Sequence, residues 1–149
     1  MSLLTLLIAP SASGPDTSPP VFLAGPSVSS VTSTGATVSA TINEIGNIYW
    51  VVVPQSEATP TVAQVIAGQN ATGLPADDSG SVTSTTALIG VSSGLTPGVP
   101  YKFCVVAQDL IPNTQTFVTL AAFSTIGSGR SMYSTAYPNV LSITQGRYG

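Results

Sequence analysis

A two-residue alternation of apolar and polar side chains runs through much of the sequence, and this period is typical of β-strands with one face in a core. It is cleanest over residues 36–42, where Ala, Val, Ala and Ile are separated by Thr and Ser. Residues 101–108 alternate in the same way after a Thr-Pro-Gly turn at 96–98. Residues 48–53 are apolar throughout, which indicates a central strand that is covered on both faces.

Weaker patterns predict the remaining strands. Residues 27–34 are predicted to form the first strand. Residues 81–91 are predicted to form one or two strands with Leu88 and Val91 facing the core, and residues 114–125 to form the last. Together the patterns predict about seven strands over residues 27–125, joined by turns rich in Gly, Pro, Ser and Asn.

Residues 59–68 carry the best helix signal in the chain. Thr59 can cap the helix, Pro60 suits its first position, and Gly68 suits a left-handed stop. The apolar residues between them form one stripe, so we predict a short helix that lies on the flank of the strands. A loop is predicted over residues 69–80.

The stretch 95–109 holds an apolar residue, a Pro-Gly turn, a tyrosine and then the alternating strand. It resembles the E–F corner of fibronectin type III and immunoglobulin-like sandwiches, where the tyrosine hydroxyl bonds to upstream backbone and the ring packs inward. Trp50 falls where such a sandwich places a core tryptophan, with ligand stacking as the alternative role. The resemblance implies an all-β, fibronectin III/Ig-like β-sandwich of about seven strands with one short helix. We expect its core to contain Trp50, Tyr101, Phe103 and Val105.

The chain is predicted to have three parts. They are an apolar N-terminal arm and Pro-rich linker over residues 1–26, the sandwich over 27–125, and a C-terminal extension over 126–149. Five large aliphatic side chains lie in the first ten residues: Leu3, Leu4, Leu6, Leu7 and Ile8. Burying them is worth roughly 7–15 kcal/mol, which rivals the stability of a whole domain. This arm is too short for a membrane span, so it docks into another chain, packs on its own domain or touches a membrane surface.

The C-terminal extension begins with a flexible Gly-Ser-Gly hinge at residues 127–129. Beyond it lie residue types that are enriched at interface hot spots, namely Arg130, Tyr133, Tyr137, Arg147 and Tyr148. We therefore predict a second partner-binding segment. The alternative is an extra strand folded onto the chain's own domain.

Composition excludes several functions. The net charge is −3 and only 6% of residues are charged, so three Lys and Arg residues offer no footprint for nucleic acid. The chain has no His and a single cysteine, which excludes Ser–His and Cys–His nucleophiles and an internal disulfide. Cys104 is expected to be a small buried hydrophobe. Asp77 and Asp78 lack the spaced oxygen ligands of a calcium site. We predict no metal, no cofactor and no enzymatic activity.

The resemblance implies one of two roles. The first is a non-enzymatic structural protein of a large assembly, a bacteriophage virion component such as a capsid decoration, neck or tail accessory protein made in the host cytoplasm. Its partners would be other virion proteins and several copies of itself, bound through the arm and the C-terminal extension. The alternative is a bacterial cell-surface module for adhesion or for carbohydrate or protein binding. The sequence lacks a convincing signal peptide, which favours the first role.

Overall fold

The computed structural model describes residues 14–129, and within them the chain forms an all-β sandwich with a short helix on one flank. In chain order the elements are β1 (Phe22–Ser29), β2 (Ala36–Pro54), α1 (Val62–Ile66), β3 (Asp78–Ser92), β4 (Pro100–Asp109) and β5 (Thr119–Ser124). All pairings are antiparallel. The prediction of an all-β sandwich with one short helix is confirmed.

The two long strands β2 and β3 pair from Ala36 to Thr41 and again from Gly46 to Val52, and each strand contributes to both layers. On its other side β2 pairs with β1 along its first half and with β4 along its second half, and β5 extends the sheet beyond β4. The β2–β3 register shifts on either side of Gly46, where a Cβ would overlap the carbonyl oxygen of Gln108. Strands that switch layers through such an irregularity make the corners of sandwiches. Within residues 14–129 the structure has five strands where the sequence predicted about seven. The stretches predicted separately at 36–42 and 48–53 join into the single strand β2, and residues 81–91 lie within the single strand β3.

The two halves of the β2–β3 ribbon fold onto each other around a tryptophan. Trp50 is buried and packs against Phe103 with ring centroids 6.1 Å apart. Its indole also lies over Gly80 and Gly90 in the two halves of β3. At the open end of the ribbon, the carboxylate of Asp78 accepts a hydrogen bond of 3.1 Å from the backbone N–H of Ser93. Trp50 is thus a core residue, as predicted.

The predicted tyrosine corner is present. Tyr101 is buried, and its hydroxyl accepts a hydrogen bond of 3.1 Å from the backbone N–H of Thr96. The hydroxyl of buried Thr125 donates to the carbonyl of Thr96 at 2.7 Å and accepts from the N–H of Val99 at 3.0 Å. These bonds join the turn before β4 to the end of β5 and close the sandwich at this end.

Strand β4 is buried on both faces. Tyr101, Phe103 and Val105 face the core between the layers, whereas Cys104 and Val106 face a second apolar cluster under α1. The alternation in the sequence indicated only one buried face, because the helix that covers the other is distant in sequence. Lys102 is buried on the helix side, where its ammonium group donates to the carbonyl of Glu57 at 2.5 Å and to the Thr59 hydroxyl at 3.5 Å.

Several local predictions differ from the structure. The last strand is shorter than the predicted 114–125, since β5 is Thr119–Ser124, and β3 begins at Asp78, inside the predicted loop 69–80. Strand β1 begins at Phe22, inside the stretch predicted as linker, because it is an edge strand whose register shifts absorb Pro26. Thr61 rather than Thr59 caps α1, in a capping box with Gln64. Val91 is 74% exposed, because Leu88 faces the core and residues three apart on a strand face opposite sides.

The tyrosine corner is tested by Tyr101→Phe. We expect the free energy of unfolding to fall by about 0.5–1.5 kcal/mol, the net worth of one hydrogen bond, with the ring still packed. Urea denaturation measures this loss. Thr96→Ala is the matched control, because it keeps the donating backbone N–H and should leave stability nearly unchanged. An unchanged free energy in Tyr101→Phe would contradict the role of this bond.

The packing of Trp50 is tested by Gly80→Ala. A Cβ at Gly80 would lie 2.6 Å from Cζ2 of Trp50, so we expect a loss of about 1–3 kcal/mol from overpacking. Gly14→Ala is the control, since no atom lies within 4 Å of that Cβ. In a double-mutant cycle, Trp50→Leu should cost less in the Gly80→Ala background than alone. Simple additivity would show that the two residues do not compete for space.

Candidate interaction surfaces

The ten residues predicted to bind partners all lie outside the described part of the chain, so their roles stay predictions. They are Leu3, Leu4, Leu6, Leu7 and Ile8 of the arm, and Arg130, Tyr133, Tyr137, Arg147 and Tyr148 of the C-terminal extension. The described residues instead show three surfaces that the sequence patterns did not reveal.

The first surface is a groove beside the start of β1. The buried side chain of Gln115 holds its two sides together through hydrogen bonds. The side chain of Gln115 accepts a hydrogen bond of 3.0 Å from the N–H of Ala107 in β4. Its amide nitrogen donates to the carbonyl of Pro20 at 2.8 Å. Gln115 therefore fixes the segment before β1 against the segment before β5. A lone glutamine in a Thr-rich stretch carries no sequence signal for such a role.

The apolar groove lies between residues 19–22 and residues 115–119 and has a volume of about 340 Å³. Its walls hold no charged residue; they are Pro19, Pro20, Val21, Phe22, Gln115, Thr116, Phe117 and Thr119. Val21 is 60% exposed and Phe117 is 65% exposed, so large apolar side chains face solvent here. A recess of this size and character suits an apolar ligand or side chains of a partner.

The second surface is a cluster of three acids at one end of the sandwich. The carboxylate oxygens of Asp16, Glu44 and Asp109 all lie within 4.8 Å of one another. Of the described residues, this group has the ligand type and spacing to hold a metal ion. The buried Asp109 carboxylate already accepts bonds from the backbone N–H of Asn113 at 2.8 Å and from its side-chain amide at 2.7 Å. The three acids are far apart in the sequence, so no local motif predicted them.

The environment of this cluster raises the pKa of Glu44. Partial burial raises the pKa of Glu44 above its ordinary value, and the negative charges of Asp16 and Asp109 raise it further. Ile45, Leu110 and Ile111 flank the acids and are exposed. The acids at 77–78, in contrast, are structural in part, because Asp78 starts β3 and bonds to the backbone of Ser79 and Ser93.

The third surface is the outer face of β3, where Ile89 and Val91 are exposed. Opposite them on β2 lie Ser39 and Thr37, so this face is uncharged and only half polar. Cys104 offers no surface chemistry. It is buried as predicted, and desolvation raises its pKa to about 11, against a smaller lowering effect of Lys102. The thiol is therefore protonated at neutral pH.

Within residues 14–129, no helix has the length and apolar character needed to cross a membrane.

No protein-family model matches the chain, and no curated protein matches its sequence. Among solved structures, a short form of the sensor domain of the anti-sigma factor RsgI4 from Pseudobacteroides cellulosolvens is similar, with a TM-score of 0.46 and 21% identity over 75% of this chain and 99% of that chain. A solution structure of the same sensor domain has a TM-score of 0.44 and 18% identity, over 82% of this chain and 89% of that chain. A computationally redesigned β-sandwich protein has a TM-score of 0.47 and 18% identity, over 75% of this chain and 98% of that chain. We infer no function from similarities at this level.

The fold and the three surfaces thus define a β-sandwich domain whose described exterior combines apolar patches with one acidic cluster.

The acidic cluster is tested by Glu44→Gln. The pKa of Glu44 is higher in the folded protein than in the unfolded chain. At pH values between these two pKa values, the folded protein binds more protons. The free energy of unfolding therefore falls as the pH rises through this range. The variant should therefore be more stable than wild type near pH 7. This gain should vanish below the ordinary pKa, about 4.3 for Glu. Urea unfolding at both pH values, with Asp77→Asn as the control, measures the effect; an equal gain at both would contradict it.

Proposed function

We propose that this chain is a non-enzymatic structural subunit of a large assembly, a bacteriophage virion component, that docks through its arm and its C-terminal extension. The observation that carries the proposal is the exterior of the described domain. Eleven large apolar side chains are exposed on it, while both Lys102 and Asp109 are buried. Some of them are grouped: Val21 and Phe117 share the apolar groove, and Ile45, Leu110 and Ile111 share the flank of the acidic cluster. Grouped apolar surface marks sites of protein contact, and a subunit that neighbours cover can tolerate it.

The finer fold assignment belongs to the same proposal. A fibronectin III/Ig-like domain is supported by the bond from Thr96 N–H to the Tyr101 hydroxyl and by Trp50 in the core. Domains of this type serve as compact, non-catalytic units in virions and on bacterial surfaces. In this setting the sandwich supplies a rigid body, and the two terminal segments supply the attachments.

The alternative role is a binding or adhesion module on a bacterial surface. The observation that favours it is the apolar groove, whose volume of about 340 Å³ and two phenylalanines, Phe22 and Phe117, would suit a small ligand. In that case the isolated chain would stay monomeric and bind its ligand through the groove.

Two truncations test the structural role. Deletion of residues 1–10 and truncation after Ser128 should each reduce self-association of the purified chain or its incorporation into particles. Both should leave the melting temperature nearly unchanged, because Thr125 already closes the sandwich through Thr96 and Val99. Sedimentation velocity and thermal unfolding measure the two quantities. A large drop in melting temperature would show that the missing segment packs on its own domain.

A further inference from the structure

Both walls of the apolar groove are fixed by hydrogen bonds. On one wall, the Pro20 carbonyl accepts from Gln115, and Val21 pairs with Asn43, whose side chain accepts from the Val21 N–H at 2.6 Å. The backbone N–H of Asn43 donates to the Val21 carbonyl at 3.0 Å. On the other wall, the N–H of Gln115 donates to the Ala107 carbonyl at 3.1 Å. The groove is therefore preorganised, although Val21 and Phe117 expose most of their surface.

The chemistry of the groove selects an uncharged, aliphatic occupant. Its lining holds no charged side chain. The side chain of Gln115, the one amide in the lining, is already engaged with Ala107 and Pro20. A charged occupant would lose its hydration here and meet no opposite charge, because the remaining polar side chains of the lining are the hydroxyls of Thr116 and Thr119. Aliphatic side chains instead gain burial, at about 25 cal/mol for each Å² of apolar surface removed from water.

The chain itself contains such a segment. Thirteen residues precede Gly14, and they carry five large aliphatic side chains and no charge, since the first charged residue is Asp16. Residues 14–18 connect them to residues 19–22, which form one groove wall. We infer that the apolar groove receives the arm, residues 1–10, of a second copy of this chain. This inference rests on the proposed function and names the partner of the arm.

The path of residues 16–20 favours a second copy over the chain's own groove. The Asp16 carbonyl accepts from the side-chain amide of Asn113 at 3.0 Å, and the Pro20 carbonyl accepts from Gln115. The segment thus runs beside residues 113–115 from the acidic cluster to the groove. The arm is joined to this segment at its Asp16 end, which lies at the acidic cluster and not at the groove. To enter the groove of its own chain, the arm would have to run back alongside residues 16–20. Insertion into a neighbour needs no reversal.

Each copy then offers one arm and one groove, which are different surfaces. Two copies can therefore exchange arms reciprocally in a closed dimer, or each arm can bind the next copy in a larger ring or a filament. If one copy has an inactive arm and another has an inactive groove, the two copies should form a single arm–groove contact and no larger assembly. This behaviour separates exchange between copies from packing within one.

The experiment uses two variants of the full-length chain. The arm variant carries Leu6→Asp and Leu7→Asp, and the groove variant carries Phe117→Asp at an exposed position that the core does not need. In sedimentation velocity, wild type should self-associate, and each variant alone should be monomeric. An equimolar mixture of the two should form a 1:1 complex, because only the arm of the groove variant and the groove of the arm variant remain active.

Leu23→Asp is the matched control, because Leu23 is 69% exposed on β1 but does not line the groove. It should associate like wild type. If the arm variant is monomeric but Phe117→Asp still associates, the groove assignment is overturned while the proposed structural function stands. If wild type is monomeric and the arm variant loses thermal stability, the arm packs on its own domain, and both the inference and arm-mediated assembly are overturned. If wild type associates but the mixture of the two variants forms no complex, the inference is also overturned.

Discussion

The contact between the Trp50 indole and the two glycines of β3 is the constraint on which the sandwich depends. Gly80 and Gly90 lie in opposite layers, and the ring occupies the space that their missing side chains leave. The ribbon can therefore close only where β3 has no side chain against the ring. Phe103 supports the indole from β4, and the Asp78–Ser93 bond holds the open end of the ribbon. The layers are thus brought together by close packing and held in register by the backbone ladder.

The strongest local patterns of the sequence were sufficient for the core. The alternation after the Pro-Gly turn placed Tyr101, Phe103 and Val105 inside, and the apolar run through Trp50 indicated burial on both faces. These predictions succeeded because strand periodicity reports directly on which face is buried. The strand count was lower than predicted, because β2 runs without a break through Asn43, Gly46 and Asn47, residue types that are typical of turns.

Features that depend on pairs of distant residues were beyond the reach of these patterns. The acidic cluster joins Asp16, Glu44 and Asp109 through the docking of the segment before β1, and the groove depends on Gln115 bridging to Pro20. The second buried face of β4 likewise requires α1 to pack there. Each is a tertiary contact between two distant stretches, and no local pattern in either stretch indicates the contact. The arm and the C-terminal extension were singled out by composition alone, and the structure does not describe them.

Lys102 gives the folded domain an internal chemical reporter. It is the one cation among residues 14–129, and its ammonium group is buried between the Glu57 carbonyl and the Thr59 hydroxyl. An amine-reactive reagent reaches it only when the segment between β2 and α1 lifts away from β4. The rate at which this lysine is labelled therefore reports every opening that exposes it, both local opening of the helix-covered layer and global unfolding. Comparing that rate in free and assembled protein would show whether neighbours restrain the same layer.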